Sequence, residues 1–416
     1  MSAYLQAKVV RSRGLCVLSS IGKSVLNRDL WLVTVGDATV PYYPDPESPS
    51  TAYPKPKFAY IGGMHGDEIG NVQLLLQFLE EVCTAPREAR LQALVDSTVL
   101  YIVPCMNPDG YVQLTRLNAN YKDLNRNAYS SAFPYARPTT RDATIRNGYG
   151  TPLHPEAAWF LTAGGAAMEP ETVAVTSWLA AVRPTVSADL HGGALVASYA
   201  LDACDSKGSI NDCPSVEAPL PNLLANAYSM NHKGMRVQLD DTYGDGDFVN
   251  GTTEGASWYT ALGTLQDWAH HVQHLHMITL EVHSDKQPFG RQLAVLYSLN
   301  RDSLLRLAEM AHLGLKARVV DAVSRAPLLA HVELLEPKGM WPPEVEADGL
   351  IWKVAVPNMR YSGTLTPVDP GNPDARYPPI SFNFTLAASW DEVVSGTGLQ
   401  GLSAVYTMRA RQARRK

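Results

Sequence analysis

Four short segments carry side chains of types that do chemistry together. In GGMHGDEIG, His65 and Glu68 stand three apart, where an apolar run gives way to a helical pattern. At the start of a helix that spacing lets an imidazole and a carboxylate converge on one point. Such a pair suits zinc, and an open catalytic site asks for one more protein ligand. Alone the pair says little, because a chain with 11 histidines meets His-x-x-Glu by chance. His191, in ADLHGG, is the candidate third ligand: it follows a strand-like run and precedes two glycines that allow close backbone approach. The plain alternative is a packed histidine at a strand end. Glu281, in HMITLEVH, is a carboxylate inside an apolar strand. Such groups are rare unless paired or functional, and one facing a cleft can serve as a general base toward an activated water. The segment DGYVQLTRLNANYKDLNRN holds Arg116, Asp123, Asn125, Arg126 and Asn127. Adjacent Asn and Arg can grip a carboxylate, and a second Arg near a metal can stabilise an oxyanion, although a polar surface loop would have the same composition.

Strands are expected at 57–63, 98–104, 185–190 and 276–282, and helices at Glu68–Cys83, Glu171–Val182 and about Asp302–His312. This alternation predicts an α/β layer with a mixed, largely parallel sheet, whose strand ends are the natural place for a ligand site. After Gly314 the texture turns to short β-like segments such as LKARVVD, GLIWKVAVP and SFNFTLAA, split by Pro, Gly and Asp. The reading is a unit over 1–313 followed by a small all-β sandwich over 314–416, about 100 residues long, with a basic C-terminal tail. The sandwich carries no cluster that suggests chemistry. With 416 residues, 45% hydrophobic and 18% charged, the chain is long enough for two cores. A net charge of −6 argues against a general nucleic-acid partner. No run reaches the roughly 18 apolar residues of a membrane span. Irregular spacing of His270, His271, His274, His276 and His283 points to packing or solvated roles. Cys204 and Cys213 flank a polar segment and either close a small loop disulfide or remain free thiols.

Taken in order, HGDE, NPDGY, TRLN, DLNRN, LHGG, WY, LQDW and ITLEV resemble the zinc metallocarboxypeptidases, within them the regulatory (N/E) subfamily that includes carboxypeptidases D, E, M and N. The intervals match as well. Arg116 lies nine before Asn125, Tyr259 eight before Asp267, Glu281 fourteen after Asp267, and Asp202 eleven after His191. The resemblance implies one zinc ion held by His65, Glu68 and His191, with Glu281 as catalytic base and Arg116 at the oxyanion. It implies Asn125 and Arg126 on the substrate carboxylate, Tyr259 closing over it, and Asp123 orienting His65. Asp202, with Gln266 as companion, would read a Lys or Arg side chain. The implied activity is release of single C-terminal basic residues from peptides and proteins, and the 314–416 segment resembles the transthyretin-like domain of that subfamily.

Several features depart from the pattern. Ala128 and Tyr129 follow DLNRN where the family has an aromatic and Pro, and a segment over roughly 129–168 reads as an insertion near the cleft. Asp67 replaces an Asn, which is read as a surface change. The helix that precedes IGKS in the family looks shortened or missing. Family members are usually secretory, whereas MSAYLQAKVVRSRG has no apolar signal core, so the N-terminus is read as incomplete. The sequons at Asn250 and Asn383 are compatible with secretion. Three rival functions are a catalytically inactive binding protein on the same fold, a zinc-dependent small-molecule deacylase, and a glutamate-trimming carboxypeptidase. The deacylase has no need of Asn125, Arg126, Tyr259 and Asp202 together, and the glutamate-trimming enzyme would need a base where Asp202 stands.

Overall fold

The computed structural model describes residues 1–42, 53–128, 168–202, 218–237, 248–259, 261–338, 340, 343–345, 350–369, 371, 377–399 and 402–411. Eight strands form the main sheet: β1 (Cys16–Lys23), β2 (Asp29–Val35), β3 (Lys57–Ile61), β4 (Val99–Val103), β5 (Val186–His191), β6 (Ala194–Tyr199), β7 (Thr252–Glu254) and β8 (Met277–His283). Their order is β1-β2-β4-β3-β5-β8-β6-β7. The centre, β4-β3-β5-β8, is parallel, while β1 and β2 pair antiparallel at one side and β6 runs antiparallel to β8 at the other.

Alternation along each strand divides two cores. Phe58 and Tyr60 of β3, Val186, Ala188 and Leu190 of β5, and Ile278 and Leu280 of β8 point to one face. There they meet the helices Ile69–Val82, Pro219–Asn231 and Arg291–Glu309. Ala59, Ile61 and Met277 point to the other face, against the helices Pro170–Val182 and Leu265–Gln273. On β5 and β8, the odd-numbered residues near the strand ends on this second face are polar: Asp189, His191, Thr279 and Glu281.

Seven further strands lie beyond residue 313: β9 (Gly314–Asp321), β10 (Leu329–Glu336), β11 (Glu344–Val345), β12 (Leu350–Lys353), β13 (Arg360–Val368), β14 (Ile380–Thr385) and β15 (Ser403–Ala410). They make a three-stranded sheet, β10-β13-β14, and a four-stranded sheet, β11-β12-β9-β15. Leu315, Ala317, Val319, Ile351, Tyr361 and Leu365 share the core of these strands. The opposite face of β12 presents Leu350 and Trp352 to the core that also holds the helix Arg291–Glu309.

The expected strands and helices all form, with ends displaced by a few residues except at the start of the last helix. The helix expected from Asp302 begins at Arg291, because buried Asn300 and Ser303 interrupt its apolar stripe and blur the pattern. A ten-residue helix, Ser2–Arg11, precedes the IGKS segment, so the helix that looked shortened or missing is present. Cys16 and Cys83 form a disulfide that spacing did not suggest. Cys204, Cys213, most of the 129–168 segment and the basic end Arg414-Arg415-Lys416 lie outside the described residues.

Candidate functional site

β3 runs through Gly62 and Gly63 into the turn that carries His65. This turn packs against the NPDG turn so closely that a Cβ on Gly66 would lie 2.0 Å from the Gly110 carbonyl carbon. Asn107 fastens the second turn by accepting from Gly110 N at 2.9 Å and donating to the Met64 carbonyl at 3.2 Å. Asp109, buried beneath it, accepts from Ser24 Oγ, Leu26 N and Arg28. NPDG is therefore the footing on which the HGDE loop stands.

His65 Nδ1 lies 3.0 Å from Glu68 Oε1, and His191 Nδ1 lies 3.0 Å from His65 Nδ1 and 3.1 Å from Glu68 Oε2. All three side chains are buried, and each offers one donor atom to a common point. Each imidazole is backed by a carboxylate. His65 Nε2 faces Asp123 Oδ1 at 3.0 Å and His191 Nε2 faces Asp189 Oδ2 at 3.2 Å. Those carboxylates accept hydrogen bonds from the Nε2–H groups, which leaves the two Nδ1 lone pairs facing each other beside Glu68, an arrangement that a cation reconciles. The residues thus fit the tetrahedral nitrogen and oxygen preference of zinc. Burial raises the Glu68 carboxyl, but the two imidazoles outweigh it and hold the group well below the usual range. Burial lowers His191, and its bonds to Asp189 and Glu68 more than reverse this. Among the described residues no second group of three donors converges.

Asp123 also accepts from Arg116 Nε at 2.9 Å and from Asn125 N at 2.9 Å, tying the DLNRN turn to the centre. Arg116 Nη1 reaches within 3.2 Å of His65 Nδ1. Glu281 sits opposite His191 in the β5–β8 register. Its Oε2 is buried without a hydrogen-bond partner among the described residues. Burial, reinforced by the Glu68 charge, pushes Glu281 up to about 7.

One cavity is lined by Arg116, Asn125, Arg126, Asp202, Tyr259 and Glu281, together with His65 and His191. Asn125 Oδ1 accepts from Leu265 N at 3.1 Å, and the Arg126 guanidinium lies 6.0 Å from the centre of the Tyr259 ring. Gln266 Nε2 donates to Asp202 Oδ1 at 3.0 Å, and Asp267 holds the Asp202 amide at 2.8 Å. A Cβ on Gly255 would fall 1.8 Å from Asp202 Oδ1, so the carboxylate has its space only because residue 255 is glycine. Burial pushes Asp202 up to about 6.

All eleven candidate side chains therefore line this cavity or bond directly to residues that do. Sequence reading missed Asp189, although its two-residue spacing from His191 on a strand puts both on one face. Lys286 was also missed; its Nζ donates to Glu68 Oε1 at 3.1 Å. Asp67 is half-buried with its carboxylate 3.8 Å from Lys286, which corrects the reading of this position as a surface change.

The fold and the site define a class: an α/β protein with a His-Glu-His metal centre at the carboxyl ends of its parallel strands. The family model for zinc carboxypeptidases matches residues 1–303, and the chain belongs to that family. The chain is 33% identical over 314 residues to carboxypeptidase SOL1 of Arabidopsis thaliana, covering 75% of this chain and 55% of that one. Carboxypeptidase M of Mus musculus is 32% identical over 340 residues, with 79% and 68% covered. Carboxypeptidase D of Mus musculus is 31% identical over 324 residues, with 75% and 21% covered. The chain thus spans about half the length of the first of these relatives and about a fifth of carboxypeptidase D. Among solved structures, thrombin activatable fibrinolysis inhibitor has a TM-score of 0.52 at 18% identity, with 74% of this chain and 71% of that one covered. The carboxypeptidase A of Helicoverpa armigera has a TM-score of 0.52 at 17% identity, with the same coverage. Both likenesses concern the fold.

Proposed function

We propose that the chain is a zinc carboxypeptidase that releases single C-terminal Lys or Arg residues from peptides and proteins. The observation that carries the reading is the half-buried Asp202 carboxylate, steadied by Gln266, in the same cavity as Asn125, Arg126 and the two histidine ligands. His65, Glu68 and His191 would hold the zinc, which when bound polarises the scissile carbonyl and acidifies a water. Asn125 and Arg126 bind the free terminal carboxylate, which restricts cleavage to the last residue. Tyr259, beside Arg126, closes over that residue and helps exclude water. Arg116, anchored through Nε to Asp123, keeps Nη1 toward the donor triad, where it can meet the oxyanion. Glu281 takes the proton of the attacking water and returns it to the leaving nitrogen, and a carboxyl poised near neutrality suits both transfers. Asp202 pairs with the departing residue's cationic side chain and so selects Lys and Arg over apolar or acidic ends.

Residues 1–313 form the catalytic unit in this reading, and 314–416 an appended transthyretin-like sandwich that supports it. The Cys16–Cys83 disulfide supports a secretory setting, since disulfides persist in oxidising compartments. The sequon residues Asn250 and Asn383 are exposed, as glycan acceptors must be. Among the described residues no helix is long and apolar enough to cross a membrane.

Hydrolysis of matched blocked dipeptides ending in Arg, Lys, Phe or Glu, with and without a zinc chelator, tests the reading. Chelator-sensitive release of Arg and Lys alone is expected. Release of Phe or Glu instead would overturn the role of Asp202, and no release from a zinc-loaded sample would overturn the activity.

A further inference from the structure

Lys286 stands three residues past the end of β8, where the two loops that carry the metal donors meet. Its carbonyl accepts from Gly70 N at 3.4 Å, at the start of the helix that follows Glu68. The His283 carbonyl accepts from Gly193 N at 2.9 Å, in the turn after His191. Between these two clasps His283 Nδ1 accepts from Asp285 N at 2.9 Å and tightens the chain. The backbone over 283–286 therefore fastens HGDE to LHGG and brings the Lys286 stem into the gap between them. That gap depends on Gly193, whose φ of +130° suits glycine: a Cβ there would lie 2.8 Å from Lys286 Cε. At the end of the stem, Nζ donates to Glu68 Oε1 at 3.1 Å and stands 3.8 Å from Asp67 Oδ2. Glu68 Oε2 accepts from Gly192 N at 3.1 Å. Each oxygen of this buried carboxylate thus has a donor apart from the imidazoles, one neutral and one charged. Arg116 Nη1 also lies 3.6 Å from Oε1, but its guanidinium is committed to Asp123. The other Asp67 oxygen, Oδ1, is buried without a hydrogen-bond partner among the described residues, which leaves the Lys286 ammonium to offset that acid.

We infer that Lys286 is a positioning residue for the metal centre, holding the Glu68 carboxylate toward both histidines, and that Asp67 in turn holds Lys286. A glutamate carboxylate turns readily about its last bond, whose preferred angles are broad. Donors on both oxygens fix its plane, so less ordering remains to be done when a metal binds. Against this, an ammonium repels a metal cation. Glu68 and Asp67 lie between or beside the two charges and offset that repulsion, so the gain in orientation prevails. The inference rests on the His-Glu-His zinc reading and is independent of which C-terminal residue is released.

Two measurements on the full chain test this without any substrate: zinc affinity by competition with a chromogenic chelator, and the visible spectrum of the cobalt-loaded protein. Lys286→Met should weaken zinc binding about 10- to 100-fold, the usual scale for a lost partner of a metal ligand, and shift the cobalt ligand-field bands. Lys286→Arg, which keeps a cationic donor, should recover most of the affinity and the original spectrum. Asp67→Asn should cost less than Lys286→Met and add nothing to it in the double variant, because Asp67 acts through Lys286. Should Lys286→Met misfold, Lys286→Gln, which keeps a donor without the charge, should show an intermediate loss. Zinc affinity and cobalt spectrum unchanged in Lys286→Met would overturn this inference alone. So would an equal loss in Lys286→Arg, or tighter zinc binding once the ammonium is gone. Failure of the unaltered chain to bind zinc would overturn the metal reading and this inference with it.

Discussion

Glu281 and Asp202 are two half-buried carboxyls with raised proton affinity, and their surroundings assign them different work. Glu281 faces the metal donors with one oxygen unpartnered among the described residues, whereas Asp202 is oriented by Gln266 and Asp267. Glu281→Gln should lower kcat by about 10²- to 10⁴-fold, the usual scale of a lost general base, with zinc content unchanged by metal analysis. Asp202→Asn should lower kcat/KM for Arg- and Lys-ended dipeptides by roughly 10- to 100-fold, in line with a lost charged hydrogen bond. Asp202 also carries a pH signature. Its pKa in the free enzyme is raised to about 6, so below that pH a cationic side chain must displace a proton in order to bind. KM for basic substrates should therefore climb as pH falls through 6, and the Asn variant should lack that limb. A KM profile shared by the two proteins would contradict the assignment.

At the level of elements, the HGDE turn depends on its contact with NPDG. Gly66→Ala would drive a methyl into the Gly110 backbone, and backbone cannot yield as a flexible side chain can. A loss of roughly 1–3 kcal/mol, the usual scale of overpacking, is expected in chemical denaturation, together with weakened zinc retention because His65 is the preceding residue. The end of the helix Pro219–Asn231 offers a second test. His232 Nδ1 accepts from Gly234 N at 3.0 Å and Met235 N at 2.8 Å, which requires a neutral ring, and burial lowers its pKa to about 4. A histidine lowered in the folded state binds its proton first in the unfolded state. Stability is thus untouched above about 6.5, falls as pH drops from 6.5 to 4, and levels off below. The loss from this group is roughly 3 kcal/mol at full extent. His232→Gln should flatten that part of a plot of unfolding free energy against pH.

Across the whole molecule, the main sheet and the later strands share apolar core and one buried ionic node. Arg306, 1% exposed, donates to Glu309 Oε2 at 3.0 Å, to the Gly398 carbonyl at 2.7 Å and to the Val393 carbonyl. Arg90 holds the other side of Glu309 at 2.7 Å. The node fastens the helix Arg291–Glu309 to the segment around 393–398. Arg306→Met leaves two carbonyls without their donor and Glu309 half compensated, and breaking a buried pair in this way costs about 3–5 kcal/mol. Thermal unfolding of that variant should move down by several degrees and still involve both regions in a single transition. Two well-separated transitions would mean that the regions fold independently and that the node matters less than its burial implies.

Much of the site was legible because its parts are local. His65 and Glu68 belong to one turn, Arg116 through Arg126 to one short segment, and Glu281 betrays itself as an acid in an apolar strand. The strands and helices around them were readable for the same reason, since alternation and helical spacing are properties of neighbouring residues. Partnerships across the chain left no such trace. Lys286 on Glu68 and the Cys16–Cys83 bond follow from strand order and helix packing. The placement of β6 beside β8, which delivers Asp202 to the cavity, has the same origin. A hollow between β12 and the far strand ends is the extreme case, because its cationic side chains, Lys55 and Lys57, Arg183 and Lys353, come from three separate stretches of sequence. Side-chain identity along the chain settles which chemistry is available. Which groups meet depends on long-range packing, whose energy is spread over many weak contacts that no short motif records.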